Sequence, residues 1–290
     1  MQIFKDTFKD ITFQEIININ NLKIIPINIK DFKHDERIVS FDNLFDNGLA
    51  KAEEVNAEGI VSKIKIINDS DNLLFISDGE AIVGAKQNRI AERSVIIKDH
   101  SDTVVPVYCV ERGRWGYRGE KRFSKSEFSL SPRTREKKAE YLKSSHERNT
   151  QSMVWQDIEE FSEKVNYSSD TSDLGEILSS RNNDDLHDKV KDVNSNGYIV
   201  LGTGRPFIEI FSDTKICKKH LNKSIRIWAA DENTVAETFD KPESYIERFN
   251  KSEWDKDISI GLEDAFSSKD DNNGRAIFHD EKFVHSYMYF

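Results

Sequence analysis

The chain has 290 residues, 37% of them hydrophobic and 32% charged, with 18 Phe and a formal net charge of −10; that is enough to bury one large core or two ordinary ones, and too aromatic for wholesale disorder. The acidic balance argues against nonspecific binding to nucleic acid or to an anionic membrane. The two cysteines, Cys109 and Cys217, make no disulfide framework and point to a reducing, cytoplasmic setting, while residues 1–10 lack the apolar core of a signal peptide and no apolar run approaches the ~20 residues of a membrane helix.

In chain order, Ile17 and Ile19, then Ile25, Ile27 and Ile29, repeat at period 2 and predict two strands, with Asn20-Asn21 as the hairpin turn between them. Ser40 reads as an N-cap for a short helix carrying Phe41, Leu44, Phe45 and Leu49, ended by Gly48. Residues 62–67 alternate Lys63 and Lys65 with Ile64 and Ile66, a strand with one wet face. Further strands are expected at 73–76, 81–85, 94–97 and 103–110, with Asp78-Gly79 as a tight hairpin signal. Short strands with regular turns suggest a sandwich or a small barrel.

Composition then changes. Residues 112–148 carry 12 Lys or Arg against 5 Asp or Glu, a local +7, with Ser124, Ser126, Ser129 and Ser131 among them. This reads as a solvated connection, or as a loop that brings basic groups to an anionic ligand. Helical spacing returns at 153–165 and, more weakly, at 174–186, both expected on the surface. Gly197 opens a second β region at 198–201 and 207–211, followed by a helix over 213–228 capped by Asp213. Residues 231–290 carry 15 acids against 7 bases, a net −8; 245–249 reads as helical, 267–274 as a polar loop, and the aromatic tail of Phe283, Tyr287, Tyr289 and Phe290 as returning to the body. The opposite charges of 112–148 and 231–290 suggest that the acidic stretch lies near the basic one as a partial lid over the polar site; the alternative is that both stretches are independently solvated and keep the protein soluble.

That site is expected in two blocks that follow strands: Ser77-Asp78-Gly79-Glu80 with Gly84-Ala85-Lys86-Gln87-Asn88-Arg89, and Cys109-Val110-Glu111-Arg112-Gly113-Arg114-Trp115. Lys86, Arg89 and Arg114 can hold phosphate oxygens, Gln87 and Asn88 can meet a base edge or a ribose, Asp78 can accept hydroxyls, and Trp115 can stack on a base. Glu80 and Glu111 are the acid and base candidates. The alternative is a buried network that knits strands together with no ligand. Cys109 is a possible nucleophile, but a lone strand cysteine is more often a small core residue. Gly202-Thr203-Gly204-Arg205-Pro206 lacks the lysine and the following helix of a phosphate loop and reads as a hairpin turn. The seven histidines show no metal-ligand spacing, so neither metal nor resident cofactor is expected.

The same two blocks resemble a bacterial family, the proteins associated with ADP-ribosylglycohydrolases (ARG) and with the rhodanese-phosphatase superfamily. The match is specific over residues 60–117 and continuous to about Asp231, leaving the last sixty or so residues outside. Arg112 stands where the family's pattern leads one to expect an amide. The resemblance implies a tie to ADP-ribose or related nucleotide metabolism.

Together these readings predict an α+β protein: a β-sandwich-like domain over 1–119 that carries the polar site, a helical connection and small αβ unit over 120–230, and an acidic extension over 231–290. They predict a small anionic, ADP-ribose-like ligand, bound and, as an extension, hydrolysed; the alternatives are a non-catalytic module that reads a protein partner and a structural β domain.

Overall fold

A computed structural model describes residues 1, 3–4, 8, 10–30, 32–117, 122–144, 147–180, 184–231 and 239–290. The chain is α+β and divides into two compact units: Met1–Asp35, Asn183–Ser259 and Glu263–Phe290 form one, and Glu36–Asn182 with Ile260–Leu262 the other. The expected boundary near Gly119 lies outside the described residues.

The first unit begins with β1 (Ile11–Phe13), β2 (Ile17–Ile19) and β3 (Leu22–Ile29). Asn20, at φ 50°, makes the expected turn, and Ile19 pairs with Leu22 across it.

The second unit follows. It holds β4 (Ile38–Ser40), α1 (Phe41–Asp46), β5 (Ala50–Glu54), β6 (Lys63–Asn68), β7 (Leu73–Ile76), β8 (Glu80–Gly84), β9 (Arg89–Ala91), β10 (Val95–Ile97), β11 (Ser101–Cys109), β12 (Phe123–Ser129), α2 (Pro132–Lys143), α3 (Glu147–Lys164) and α4 (Leu174–Ser179). The Ser40 side chain caps α1 by accepting from the Asn43 N–H at 3.4 Å. Six antiparallel strands run in the order β12-β8-β9-β11-β6-β5, and a separate sheet runs β10-β7-β4 with β4 and β7 parallel. Ile64, Ile66, Ile82 and Val105 of the larger sheet, Leu74, Ile76, Val95 and Ile97 of the smaller one, and Phe41 and Leu44 of α1 share one apolar core.

Two local expectations need correction here. Asp78-Gly79 does not join a hairpin: β7 pairs with β10 and β4, while β8 pairs with β9 and β12. The turn, with Gly79 at φ 76°, instead passes the chain from one sheet to the other. The basic stretch is not a solvated connection either. Its described part forms β12 and α2, whose Ser131 cap and first-turn Pro132 are ordinary helix-start signals. Helices α2 and α3 are joined by Arg133–Glu160 at 2.8 Å and Lys137–Asp157 at 2.5 Å. The apolar stripe of α3 is core, with Val154 and Ile158 buried.

The chain returns to the first unit with α5 (Asp184–Val190), β13 (Gly197–Leu201), β14 (Phe207–Phe211), α6 (Thr214–Ala230), α7 (Pro242–Lys251), β15 (Trp254–Lys256), β16 (Asp264–Ser268), β17 (Arg275–His279) and β18 (Lys282–Tyr289). Its sheet runs β1-β3-β13-β14-β18-β17-β16-β15, with β2 also on β3. Both faces of β13 and β14 are buried. On one face Trp228 of α6 packs edge-on against Tyr198 at 5.2 Å and Phe207 at 5.5 Å. On the other, Ile199, Ile208 and Ile210 meet Phe249 of α7 and Trp254. Gly202, at φ 103°, opens the β13–β14 turn, as the glycine-rich segment predicts.

Within residues 239–290, α7 and β15–β18 are helix, sheet and core of the first unit, while Ile260–Leu262 belongs to the second. Acids of this stretch pair locally, Asp257 with Arg275 at 2.7 Å and Asp240 with Arg248 at 2.9 Å. The bases of 112–148 pair inside the second unit, Lys125 with Asp46 at 2.7 Å and Arg114 with Glu111 at 2.6 Å. Among the described residues no helix is long and apolar enough to cross a membrane.

Candidate functional site

The two polar blocks come together in the second unit because β9 pairs with both β8 and β11, setting Arg89 opposite Ile82 on one side and Cys109 on the other. The residues fall into three groups that differ in what their polar atoms do.

The first group closes the turn after β7. Glu80 Oε2 accepts from the Ser77 N–H at 3.0 Å and the Ser77 hydroxyl at 3.3 Å. Asp78 accepts from Lys138 Nζ of α2 at 2.7 Å, both side chains being buried, and Lys138 also donates to the Glu92 carbonyl.

The second group surrounds Glu111, which is fully buried. Arg114 grips it bidentately, Nε to Oε1 at 2.7 Å and Nη2 to Oε2 at 2.6 Å. The Asn88 N–H adds a bond at 3.2 Å and the Thr171 hydroxyl one at 3.0 Å. Arg114 Nη1 donates to the carbonyls of Ala85 and Gly116, at 2.7 and 2.8 Å. The Asn88 amide donates to Asp173 at 3.0 and 3.1 Å, and its oxygen accepts from Gly84 N–H at 2.7 Å. The Gln87 amide donates to the Glu111 carbonyl. Burial alone would raise the Glu111 carboxyl, but the bonds from Arg114, Asn88 and Thr171 overcome it and hold its pKa below the ordinary value. Asp173 shifts the other way: burial raises it, although it caps α4 through the Gly175 N–H.

The third group is open. Arg89 is 0% exposed. Its Nη1 donates to Gln87 Oε1 at 2.9 Å and more weakly to the Asn88 carbonyl at 3.4 Å, but Nε and Nη2 have no hydrogen-bond partner in the protein. Burial lowers the Arg89 pKa; Cys109 and Glu54 raise it in part. Glu54, on β5, is also buried; its Oε1 accepts from the Lys86 N–H at 3.3 Å and its Oε2 has no partner. The Trp115 indole lies 5.4 Å from the Arg89 guanidinium and 5.4 Å from Lys86 Nζ, and is itself 46% exposed. Lys86 Nζ rests on the carbonyls of Ala57 and Glu58, at 2.8 and 2.5 Å. Gly59 lies against the same residues: a Cβ there would come 3.0 Å from Glu54 Oε2 and 3.2 Å from both Lys86 and Trp115. Buried charged donors with nothing to donate to are costly, by roughly 1–3 kcal/mol or more each, and are usually met by an ion, a water or a ligand.

Of the residues expected to bind or react, Lys86, Arg89 and Trp115 therefore meet at the open spot, Gln87 borders it, and Asp78, Glu80, Asn88, Glu111 and Arg114 are engaged in protein contacts. Cys109 lies beside Arg89 with its thiol pushed up to about 11 by burial, so it is a thiol and not a nucleophile at neutral pH. Its backbone N–H and carbonyl are both held by the Gln151 amide, at 2.8 and 3.0 Å. Arg112, where an amide was expected, lies over Trp155 at 5.4 Å. Sequence reasoning missed Glu54, Lys138, Thr171 and Asp173. For Glu54 a signal existed: Ala50, Ala52 and Glu54 alternate on the buried face of β5.

Residues 10–289 match the ARG and Rhodanese-Phosphatase-superfamily-associated Protein domain, ARPP-1, and the chain belongs to that family. The match takes in the last sixty residues, which the resemblance had left outside, as the strands β15–β18 of the large sheet require. No curated protein and no solved structure matches the chain.

Proposed function

We propose that the second unit binds a nucleotide of the ADP-ribose type at Arg89, Lys86 and Trp115. The observation that carries this reading is the pair of buried, partnerless N–H groups on Arg89 beneath a half-exposed indole. A phosphate supplies the acceptors that Arg89 lacks, and a base supplies a face for Trp115 to stack on. Lys86 adds a second positive charge on the solvent side. The family's association with ADP-ribosylglycohydrolases favours this ligand class over other anions.

Hydrolysis is the finer part of the proposal. Glu111 accepts four hydrogen bonds and is held in its charged form, which suits positioning Arg114 and Asn88 better than moving a proton. Glu80 is committed to Ser77. Glu54 keeps an oxygen without a partner beside Arg89, so a hydrolytic step at this spot would use Glu54 as its base.

A protein-docking role is the second reading, favoured by the exposure of Trp115 and Tyr117 side by side with Lys86. Thermal shift with ADP-ribose, NAD and mononucleotides separates the two. Ligand binding predicts a rise in Tm for the wild type that Trp115→Ala removes without lowering the unliganded Tm. No shift with any of them at millimolar concentration would sink the ligand reading and leave docking.

A further inference from the structure

In the first unit, β17 ends at His279, and Asp280 and Glu281 turn the chain into β18 with φ values of 48° and 62°. The His279 imidazole is buried, 6% exposed, and its Nδ1 has no hydrogen-bond partner. It faces two carboxylates, Asp35 Oδ2 at 3.7 Å and Asp280 Oδ2 at 3.7 Å. One ligand atom from each of the three residues lies within 4.8 Å of the others. These separations are too long for hydrogen bonds. They are close to the spacing of groups that share a cation: bonds of ~2.1 Å at tetrahedral angles put ligands about 3.4 Å apart.

We propose that Asp35, His279 and Asp280 bind a divalent transition-metal ion, with Zn²⁺ the best fit. A neutral imidazole accepts a metal through Nδ1 where it now has nothing to accept from, and two carboxylates balance the 2+ charge. One nitrogen with two oxygens suits Zn²⁺; Mg²⁺ and Ca²⁺ prefer all-oxygen sets. The Asp280 side chain is 69% exposed, which gives the ion a route in and leaves a coordination position facing water. The ligands come from the first and last segments of the unit, so the ion ties residues before β4 to the β17–β18 turn. The histidine spacing shows nothing of this, because Asp35 is remote in sequence from His279. The competing account is a protonated His279 paired with two aspartates and no metal.

The test uses the full chain, stripped with EDTA and titrated with Zn²⁺ alone by calorimetry, with metal content measured after gel filtration. Asp280→Asn is the first variant, because Asn accepts the left-handed turn conformation and keeps the hairpin. The wild type is expected to take up one equivalent of Zn²⁺ and to melt higher with it, and Mg²⁺ to give no response. Asp280→Asn is expected to weaken uptake by more than about tenfold, since a ligand matters at least as much as its supporting shell. Co²⁺ in the wild type gives a second readout, the intense visible absorption of a low-coordinate site. Absence of stoichiometric Zn²⁺ uptake, uptake that Asp280→Asn leaves unchanged, or a Co²⁺ spectrum of the fully hydrated ion would each overturn the proposal.

Discussion

Two arginines of the second unit, Arg89 on β9 and Arg114 in the segment after β11, behave oppositely. Arg114 is satisfied: two bonds to Glu111 and two to backbone carbonyls, all at 2.6–2.8 Å. Arg89 is more deeply buried and has two donors with no partner. Both were candidate ligand holders, and neither residue type nor spacing separates them. The hydrogen-bond inventory does. A side chain with a complete set of partners is holding the fold, and one with an incomplete set costs the fold something and is explained by what it meets. The first unit shows the closed case again, where Glu209 accepts from Tyr198 at 3.0 Å and bonds His285 at 2.9 Å between β13, β14 and β18.

The largest effect is expected at Arg114. Arg114→Met leaves the fully buried Glu111 without its counter-ion, and a loss of about 3–5 kcal/mol is expected by denaturant unfolding. A loss below 1 kcal/mol would mean that the Glu111 group is not the structural one. Next comes pH. The folded Glu111 pKa lies below its unfolded value, so its contribution is present above the ordinary carboxylate pKa, about 4.3, and disappears as pH falls through the folded value. Glu111→Gln should therefore lower stability at neutral pH and flatten the acid limb below about 4.3. Asp173, raised chiefly by burial, works in the opposite direction over a higher window, from the ordinary aspartate value of about 3.9 up to its folded value, where falling pH adds stability. An acid limb identical in wild type and Glu111→Gln would contradict this.

Smaller effects are expected at the open spot. With its thiol pushed up to about 11, Cys109 is about one part in a thousand thiolate at pH 8, so iodoacetamide should label it only on unfolding; prompt labelling of the native protein would restore the nucleophile reading. Trp115→Ala should change stability by no more than about 0.5 kcal/mol, as for an exposed side chain, yet weaken nucleotide binding by roughly tenfold through the lost stack.

Much of the fold was legible because the signals are local. The β2–β3 hairpin follows from alternating Ile and the Asn20-Asn21 pair, and α1 and α6 follow from their Ser40 and Asp213 caps. What failed depends on partners remote in sequence. Nothing near Ile25 announces that β3 pairs with β13, and nothing near Leu73 announces that β7 pairs with β4 and β10 rather than β8. Helix α2 was hidden by its charge: Lys138 looks solvated in sequence and is buried against Asp78 in the fold. The candidate site divides in the same way. That the two blocks converge was readable from strand ends rich in charge. Which of their residues close on the protein was not, because the closing partners Thr171, Asp173 and Lys138 come from elsewhere in the chain.

The central claim is that Arg89 is kept for a ligand and not for the fold. Arg89→Met tests it most directly, since Met fills similar volume and removes the two unmet donors. Calorimetric titration of ADP-ribose into wild type and variant, beside denaturant unfolding of both, should show saturable binding to the wild type, none to Arg89→Met, and a variant stability within about 1 kcal/mol of the wild type or above it. A variant destabilised by several kcal/mol, or one that binds ADP-ribose as well as the wild type, would contradict the account.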